Sequence, residues 1–408
     1  VGKNVRRQFP NPFELAEIIK FRKFTFSRKR ARLQRAFTIW DLRDIAKRRT
    51  PKGPFDYTDG SAESESSLER ARQAYLDIEF VPRILRDVSS ADPSCEVFGQ
   101  RFAMPVGIAP TGFARLMQTE GEIAGSRAAA KFNIPFSLST LGTCSIEEVC
   151  AAAPEGANWF QLYMWKDRDG SMALVDRAKK AGVKTLLLTV DVPVAGQRLR
   201  DSYNGLTIPP TLSTKTVVDV LTHPAWWMNF ISTPPVKFAS MSSWNGTVAE
   251  LLDYMFDPTM TFDDFKWIRE QWSGNLIIKG VQCLDDAKKA AELGADAILL
   301  SNHGGRQIDR APVPLHMLSE IRREFGKDYK IHVDTGITNG ADVLAAIAHG
   351  ADFTYVGRAY LYGLMAGGQA GVERALEIIK SQIIRNMKLL GVRSLAELTP
   401  DHVRLLRR

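Results

Sequence analysis

Apolar and polar positions along this chain alternate in blocks rather than residue by residue. Short apolar runs fall at 104–110, 135–140, 159–163, 185–191, 276–281, 297–302, 330–336 and 353–358. Their centres are β-branched and aliphatic, the pattern of parallel strands covered on both faces. Between them lie stretches with helical spacing of apolar residues, at 120–132, 171–181, 284–293, 315–325 and 340–349. Several stop at Asn133, Gly182, Gly294 or Gly350, residue types that accept the left-handed backbone closing a helix. Eight strands alternating with helices predict an α/β fold, a closed (β/α)8 TIM barrel. The competing arrangement is an open doubly wound sheet, which usually carries a glycine-rich dinucleotide turn after its first strand. Here that turn reads Pro110-Thr111-Gly112, with no G-x-G-x-x-G, and the barrel is favoured.

An amphipathic helix is predicted over 36–49, ahead of the breaking sequence Thr50-Pro51-Lys52-Gly53-Pro54, so the barrel has an N-terminal helical extension. The rhythm breaks between Asp191 and Leu276, an interval of about 85 residues, several times an ordinary βα connection. A long loop after the fourth strand of a barrel lies over the active site. This one holds Trp226, Trp227, Met228, Phe230 and Trp244, with few charges between Gly205 and Thr247. Two readings stand: a lid packed over the site, or a surface patch that dips into a membrane interface. The chain therefore divides into a tail at 1–36 and one barrel domain at 37–408, with 200–262 as an insertion facing the active site or a membrane.

Composition is that of a soluble globular protein, with 45% hydrophobic and 25% charged residues in 408. No uncharged apolar run reaches eighteen residues, so no spanning helix is expected, and no charged-then-apolar signal peptide opens the chain. The net charge of +8 is local: residues 1–36 hold eleven Lys/Arg against Glu14 and Glu17, while the remainder holds 43 basic and 44 acidic residues. Such a tail suits anionic lipid, nucleic acid or an acidic groove on a neighbouring subunit, or is simply solvated. Together with the Trp-rich loop it supplies the two signals that stable peripheral anchoring needs. That pairing points to a membrane surface and away from nucleic acid. Cys95, Cys144, Cys150 and Cys283 show no C-x-x-C spacing and no histidines at metal-ligand intervals. They read as reduced thiols of a cytosolic protein, with no metal site expected.

Side chains at the carboxyl ends of barrel strands point into the site, and here those ends are rich in chemistry. The sixth ends in Ser301-Asn302-His303-Gly304-Gly305-Arg306, where a turn with two glycines lets imidazole and guanidinium converge on one small ligand. The fourth delivers Thr189 and Asp191, then Arg198; the fifth ends in Lys279-Gly280; the third carries Gln161 and Tyr163. Any one of them has a plainer role, since a strand-end Asp often caps a helix and a buried Lys often pairs with an acid. His223, His316, His332, His349 and His402 read as surface or core histidines. The joint placement of the others on successive strands is what suggests a site.

The segment SNHGGRQID at 301–309 resembles the active-site signature of FMN-dependent 2-hydroxy acid dehydrogenases and oxidases, and the resemblance covers roughly residues 36–400. Matching patterns include FDYTDGSAESE at 55–65, IAPTG at 108–112, FQLY at 160–163 and LTVDVP at 188–193, then IIKGV at 277–281, VDTG at 333–336 and VGRAYLYGL at 356–364. THPAWW at 222–227 and FDPTMTFDDFKWIREQW at 256–272 are similar to the bacterial respiratory lactate dehydrogenase branch. The resemblance implies FMN as cofactor and oxidation of an (S)-2-hydroxy acid, L-lactate before others. Electrons would pass to a quinone or another membrane carrier, and the protein would be a homotetramer at the cytoplasmic face of the membrane. It implies His303 as base and Asp191 as its partner; Arg198, Arg306, Tyr57 and Tyr163 would hold substrate. Lys279 would sit at the flavin N1–O2 edge, with Pro110, Thr111, Gly112, Ser139, Gln161, Thr189 and Ser301 around the ring. Asp334, Gly336, Gly357 and Arg358 would hold ribityl and phosphate.

Chemistry agrees with those roles: Arg matches a carboxylate bidentately, and a fixed cation stabilises charge near flavin N1. A carboxylate neighbour raises an imidazole pKa. Open alternatives are an oxidase or monooxygenase using oxygen, a mandelate-type dehydrogenase, and a flavin- or phosphate-binding scaffold without turnover. Three positions depart from common patterns. Thr338 stands where many relatives carry Arg, which leaves the phosphate mainly to Arg358. Gly112 stands where several carry Ala, and Leu141 replaces a Trp, leaving an apolar wall suited to a methyl or somewhat larger substituent.

Overall fold

All eight apolar runs form parallel strands that hydrogen-bond in sequence order and close on themselves. They are β1 (Val106–Ile108), β2 (Phe136–Ser139), β3 (Asn158–Tyr163), β4 (Thr185–Thr189), β5 (Asn275–Val281), β6 (Ala297–Leu300), β7 (Lys330–Val333) and β8 (Phe353–Val356). Closure runs through Tyr355 on β8 opposite Gly107 on β1. This computed structural model describes residues 11–19, 25–206, 213–239 and 255–406. The expected (β/α)8 barrel is the observed fold.

Inside, Trp159, Leu187, Ile277, Leu299, Phe353 and Tyr355 fill the barrel. A hairpin, Cys95–Val97 with Gln100–Phe102, leads directly into β1 and closes the amino end. Its Phe102 meets Trp159 edge-on at 6.2 Å between ring centres, a favoured aromatic geometry. His332 on β7 is buried among these rings, with Nδ1 3.0 Å from the Tyr355 hydroxyl. Burial, then Lys330 and Arg322, push its pKa down to about 3, so it packs as a neutral group.

The five predicted helices all form, as Gly121–Phe132, Arg168–Lys180, Leu284–Glu292, Pro314–Phe325 and Gly340–Ala348. The helix expected over 36–49 starts at Ile39, because Thr38 and Asp41 form a reciprocal capping box. The breaking sequence interrupts the chain only briefly. A helix Lys52–Asp59 begins at once, with Pro54 in its first turn, where a missing N–H leaves no bond unmade. Strand eight ends at Val356 rather than running to 358, and Arg358 opens the helix Arg358–Gly367. That helix is apolar all round because it is buried all round, so its first residues read as a continuation of the strand. The helix Ile39–Arg49 packs chiefly on it. Burial of Ile39, Leu42 and Ile45 contributes about 1.5–3 kcal/mol each.

Contact with this body starts inside the tail: Leu33 is buried and Arg32 donates to the Ala366 carbonyl at 2.9 Å. Residues 1–10 and 20–24, with six of the tail's basic residues, lie outside the described residues. The insertion after β4 contains the helices Leu199–Tyr203, Thr214–Leu221 and Pro224–Ile231 and returns through Phe262–Gln271, which stands as the fourth barrel helix. Trp226 turns toward the barrel, where its indole donates to the Leu116 carbonyl at 3.0 Å and its ring stacks on Phe230. Among the described residues, Val217, Val218, Leu221, Met228 and Ile231 are left outward, together with Tyr203. Trp244 lies outside the described residues. The stretch 234–239 is strapped across the mouth, where Arg115 binds the Pro234 carbonyl and Ala239 binds that of Gly142. Among the described residues no helix is long and apolar enough to cross a membrane.

Candidate active site

β6 passes into Ser301 and Asn302, both fully buried, and then into three successive residues of positive φ: His303 at 58°, Gly304 at 65° and Gly305 at 75°. A left-handed histidine costs about 1–2 kcal/mol. Hydrogen bonds offset it: the His303 amide donates to Ser301 Oγ at 3.0 Å, and the Gly305 amide to Asn302 Oδ1 at 3.0 Å. Gly305 is tightly set as well as left-handed, since a Cβ would come to 3.1 Å from Ser67 and from the Leu68 amide. The turn aims the imidazole across the barrel mouth.

There His303 Nδ1 lies 3.0 Å from Asp191 Oδ1, which leaves Nε2 facing the Tyr163 hydroxyl at 3.4 Å. Asp191 follows the end of β4, and its side chain is 2% exposed. Burial alone would raise its pKa, but Lys279 and His303 outweigh burial and hold the carboxyl below its ordinary value. An ionised Asp191 assigns the proton to Nδ1 and the free lone pair to Nε2. The imidazole differs from expectation. Burial first, and then the Lys279 cation, lower its pKa despite the attraction of Asp191. The neutral, proton-accepting form is therefore the resting one. Lys279 itself is buried, donating to Ser301 Oγ at 3.1 Å and lying 3.8 Å from Asp334.

Tyr57, carried by the helix Lys52–Asp59, meets two guanidinium groups. Arg306 lies 4.6 Å and Arg198 5.5 Å from its ring centre. Arg306 donates to the Tyr57 and Gly60 carbonyls, and Arg198 donates to Asp201 at 2.8 Å. Burial and then neighbouring Arg198 push the Arg306 pKa down to about 10. Two half-buried like charges so close are relieved by an anion between them, and a carboxylate matches their planar forks.

These groups open on one cavity of about 980 Å³. Of the eighteen residues expected at the site, fourteen line it: Tyr57, Pro110, Thr111, Gly112, Ser139, Tyr163, Arg198, Lys279, His303, Arg306, Asp334, Gly336, Gly357 and Arg358. Asp191, Gln161, Thr189 and Ser301 pack directly against lining residues: His303, Ser139, Tyr163 and Lys279. Sequence reasoning missed Phe113, Phe238, Asp201 and Arg72, which also line it. Asp201 had a legible signal, standing three residues after Arg198. Phe238 had none, because only tertiary folding brings the insertion against Phe113, at 4.6 Å between rings.

Residues 46–405 match the FMN-dependent dehydrogenase family. The chain belongs to this family. It is 58% identical over 404 residues, 99% of this chain and 98% of the relative, to a Mycobacterium tuberculosis protein that carries the provisional name L-lactate dehydrogenase. It is 42% identical over 368 residues, 88% of this chain and 93% of the relative, to L-lactate dehydrogenase of Chromohalobacter salexigens. A solved structure of the monotopic membrane protein (S)-mandelate dehydrogenase superposes with a TM-score of 0.88 at 35% identity, covering 91% of this chain and all of that one.

The residues of this FMN-dependent dehydrogenase fit its cofactor. Gln161 Nε2 and Thr189 Oγ1, on adjacent strands, are buried polar atoms without a partner among the described residues. Each such atom costs about 1–3 kcal/mol, which the polar edge of an isoalloxazine would relieve. Gly357 leaves a cradle in which a Cβ would meet only Ala109 and Thr111, at 3.9 Å, and Gly336 turns at a φ of 84° beside it in the cavity wall. When bound, FMN supplies a two-electron acceptor that no side chain here provides. Gly112 is tightly set, since a Cβ there would lie 2.8 Å from that of Leu141.

Proposed function

We propose that this enzyme oxidises an (S)-2-hydroxy acid, L-lactate first among them, to the 2-oxo acid, with electrons passed to a quinone or other carrier at a membrane. The observation that carries the reading is the meeting, in one cavity, of a neutral imidazole backed by Asp191 with two guanidinium groups over Tyr57. Arg198 and Arg306 bind the substrate carboxylate, with Tyr57 adding a hydrogen bond, and Tyr163 orients the hydroxyl. His303 Nε2 takes one proton as the C–O single bond becomes a carbonyl, and Asp191 stabilises the imidazolium that results. FMN, when bound, would supply the acceptor for the second hydrogen and the two electrons, and by either route one proton would come to rest on His303. Lys279, in the cavity wall, would help to hold the flavin and would stabilise negative charge gained there.

Lactate is supported by the names of the most similar relatives and by the apolar wall at Leu141. Mandelate is the second reading, favoured by the likeness to (S)-mandelate dehydrogenase. Anaerobic addition of L-lactate, D-lactate and mandelate to the purified enzyme, with flavin absorbance followed, separates these. L-lactate should bleach it fastest, and no bleaching by any 2-hydroxy acid would leave only a binding scaffold. Comparing turnover on a quinone analogue with oxygen consumption distinguishes a dehydrogenase from an oxidase or monooxygenase.

Membrane attachment is supported by the outward aliphatic groups of the insertion, by the basic tail and by the monotopic neighbour. Deleting 1–30 and shortening the insertion should release the enzyme from anionic vesicles. A homotetramer at the cytoplasmic face completes the proposal, and its mass in solution checks the assembly.

A further inference from the structure

The cofactor carries a phosphate, and barrels bind phosphates with the loops after strands seven and eight. In this chain that end of the cavity has few free side-chain donors to add to the backbone amides of its loops. Thr338 turns both its amide and its hydroxyl onto Asp342, at 2.8 and 3.0 Å. Arg358 commits Nε to the Thr58 carbonyl at 3.0 Å and Nη2 to that of Gly60 at 2.7 Å.

A second guanidinium reaches the same place from outside the barrel. Arg72, on the helix Ser66–Leu76, donates through Nη1 to the Gly336 carbonyl and to Asp342 at 2.6 Å. Its side chain is 16% exposed, and it lines the cavity together with Gly336, Ile337 and Thr338. Nε and Nη2 make no hydrogen bond among the described residues, so the edge of the fork that binds a phosphate bidentately is unspent. Asp342 shares its charge between Arg72 and the two donors of Thr338, and it fixes the opposite corner of the guanidinium. Glu69, the other charged lining residue of this helix, is exposed to solvent.

We infer that Arg72 binds the phosphate of FMN as the second cation beside Arg358, making the helix before the barrel part of the cofactor site. The inference rests on the FMN assignment and goes beyond it, since no signal along the sequence connects Arg72 to the loop after β7.

Exchange of bound FMN against free riboflavin in the holoenzyme tests this, because riboflavin lacks only the phosphate. The wild type should hold FMN against excess riboflavin. Arg72→Met should lower that preference about ten- to a hundredfold, the weight of a buried charge-assisted hydrogen bond. Arg72→Lys should keep part of the preference. Measuring a ratio of two flavins removes any general loosening of the fold from the result. An Arg72→Met enzyme that prefers FMN as strongly as wild type overturns the role of Arg72. A wild type that exchanges the two flavins freely overturns the phosphate assignment itself.

Discussion

Each end of this barrel buries an imidazole, and the two are opposites. His332, at the amino end, sits among Phe98, Phe353 and Tyr355, with a phenol as its hydrogen-bond partner. His303, at the carboxyl end, has a carboxylate on one nitrogen, a buried ammonium nearby, a left-handed backbone and a cavity in front. Burial lowers both pKa values. Burial alone therefore does not make a base. At the mouth, Asp191 stabilises the charged form once it appears, whereas nothing at the closed end offers that.

The widest gap between the ends should appear on removing the imidazoles. His303→Ala should retain FMN and cut the rate of anaerobic flavin reduction by about 10²–10⁴-fold; near-wild-type bleaching would remove it as base. Next in size, Arg306→Met should raise the KM for the acid about ten- to a hundredfold, the weight of a buried charge-assisted contact. An unchanged KM would place the carboxylate elsewhere. At the closed end, His332→Leu should cost about 1–3 kcal/mol of stability in denaturant titration by orphaning the Tyr355 hydroxyl. It should leave the pH profile where it was.

The pH profile gives the finest contrast. Because burial and Lys279 disfavour the imidazolium, the acid limb of kcat/KM should fall below the ordinary histidine value of about 6.5. Lys279→Met removes a cation and should move the limb upward; Asp191→Asn removes a stabilising anion and should move it down. A limb that ignores both variants breaks the comparison.

The barrel was legible because its strands are buried on both faces and so are rich in apolar residues, without interruption at 297–300. The chemistry at strand ends was legible for a related reason: a polar residue closing an apolar run, such as Lys279, has few structural excuses. What stayed hidden depends on distance along the chain. Helix Lys52–Asp59 reads as a break along the sequence because proline ends helices everywhere but at their start, where Pro51 and Pro54 stand. Arg72 and Phe238 reach the site from segments whose own patterns record nothing of it. The lowered pKa of His303 is hidden for the same reason, since a neighbouring carboxylate can be read from residues while the depth of burial cannot.

β5 carries a consequence that concerns what the strand omits. At Gly280, with φ at 107°, a β-carbon would press within 2.6 Å of the Asp191 side chain. The seat of that carboxylate is thus moulded by a missing methyl group on the next strand. A descendant could keep every reactive side chain and still lose the reaction, by gaining one carbon and two hydrogens where none can be tolerated.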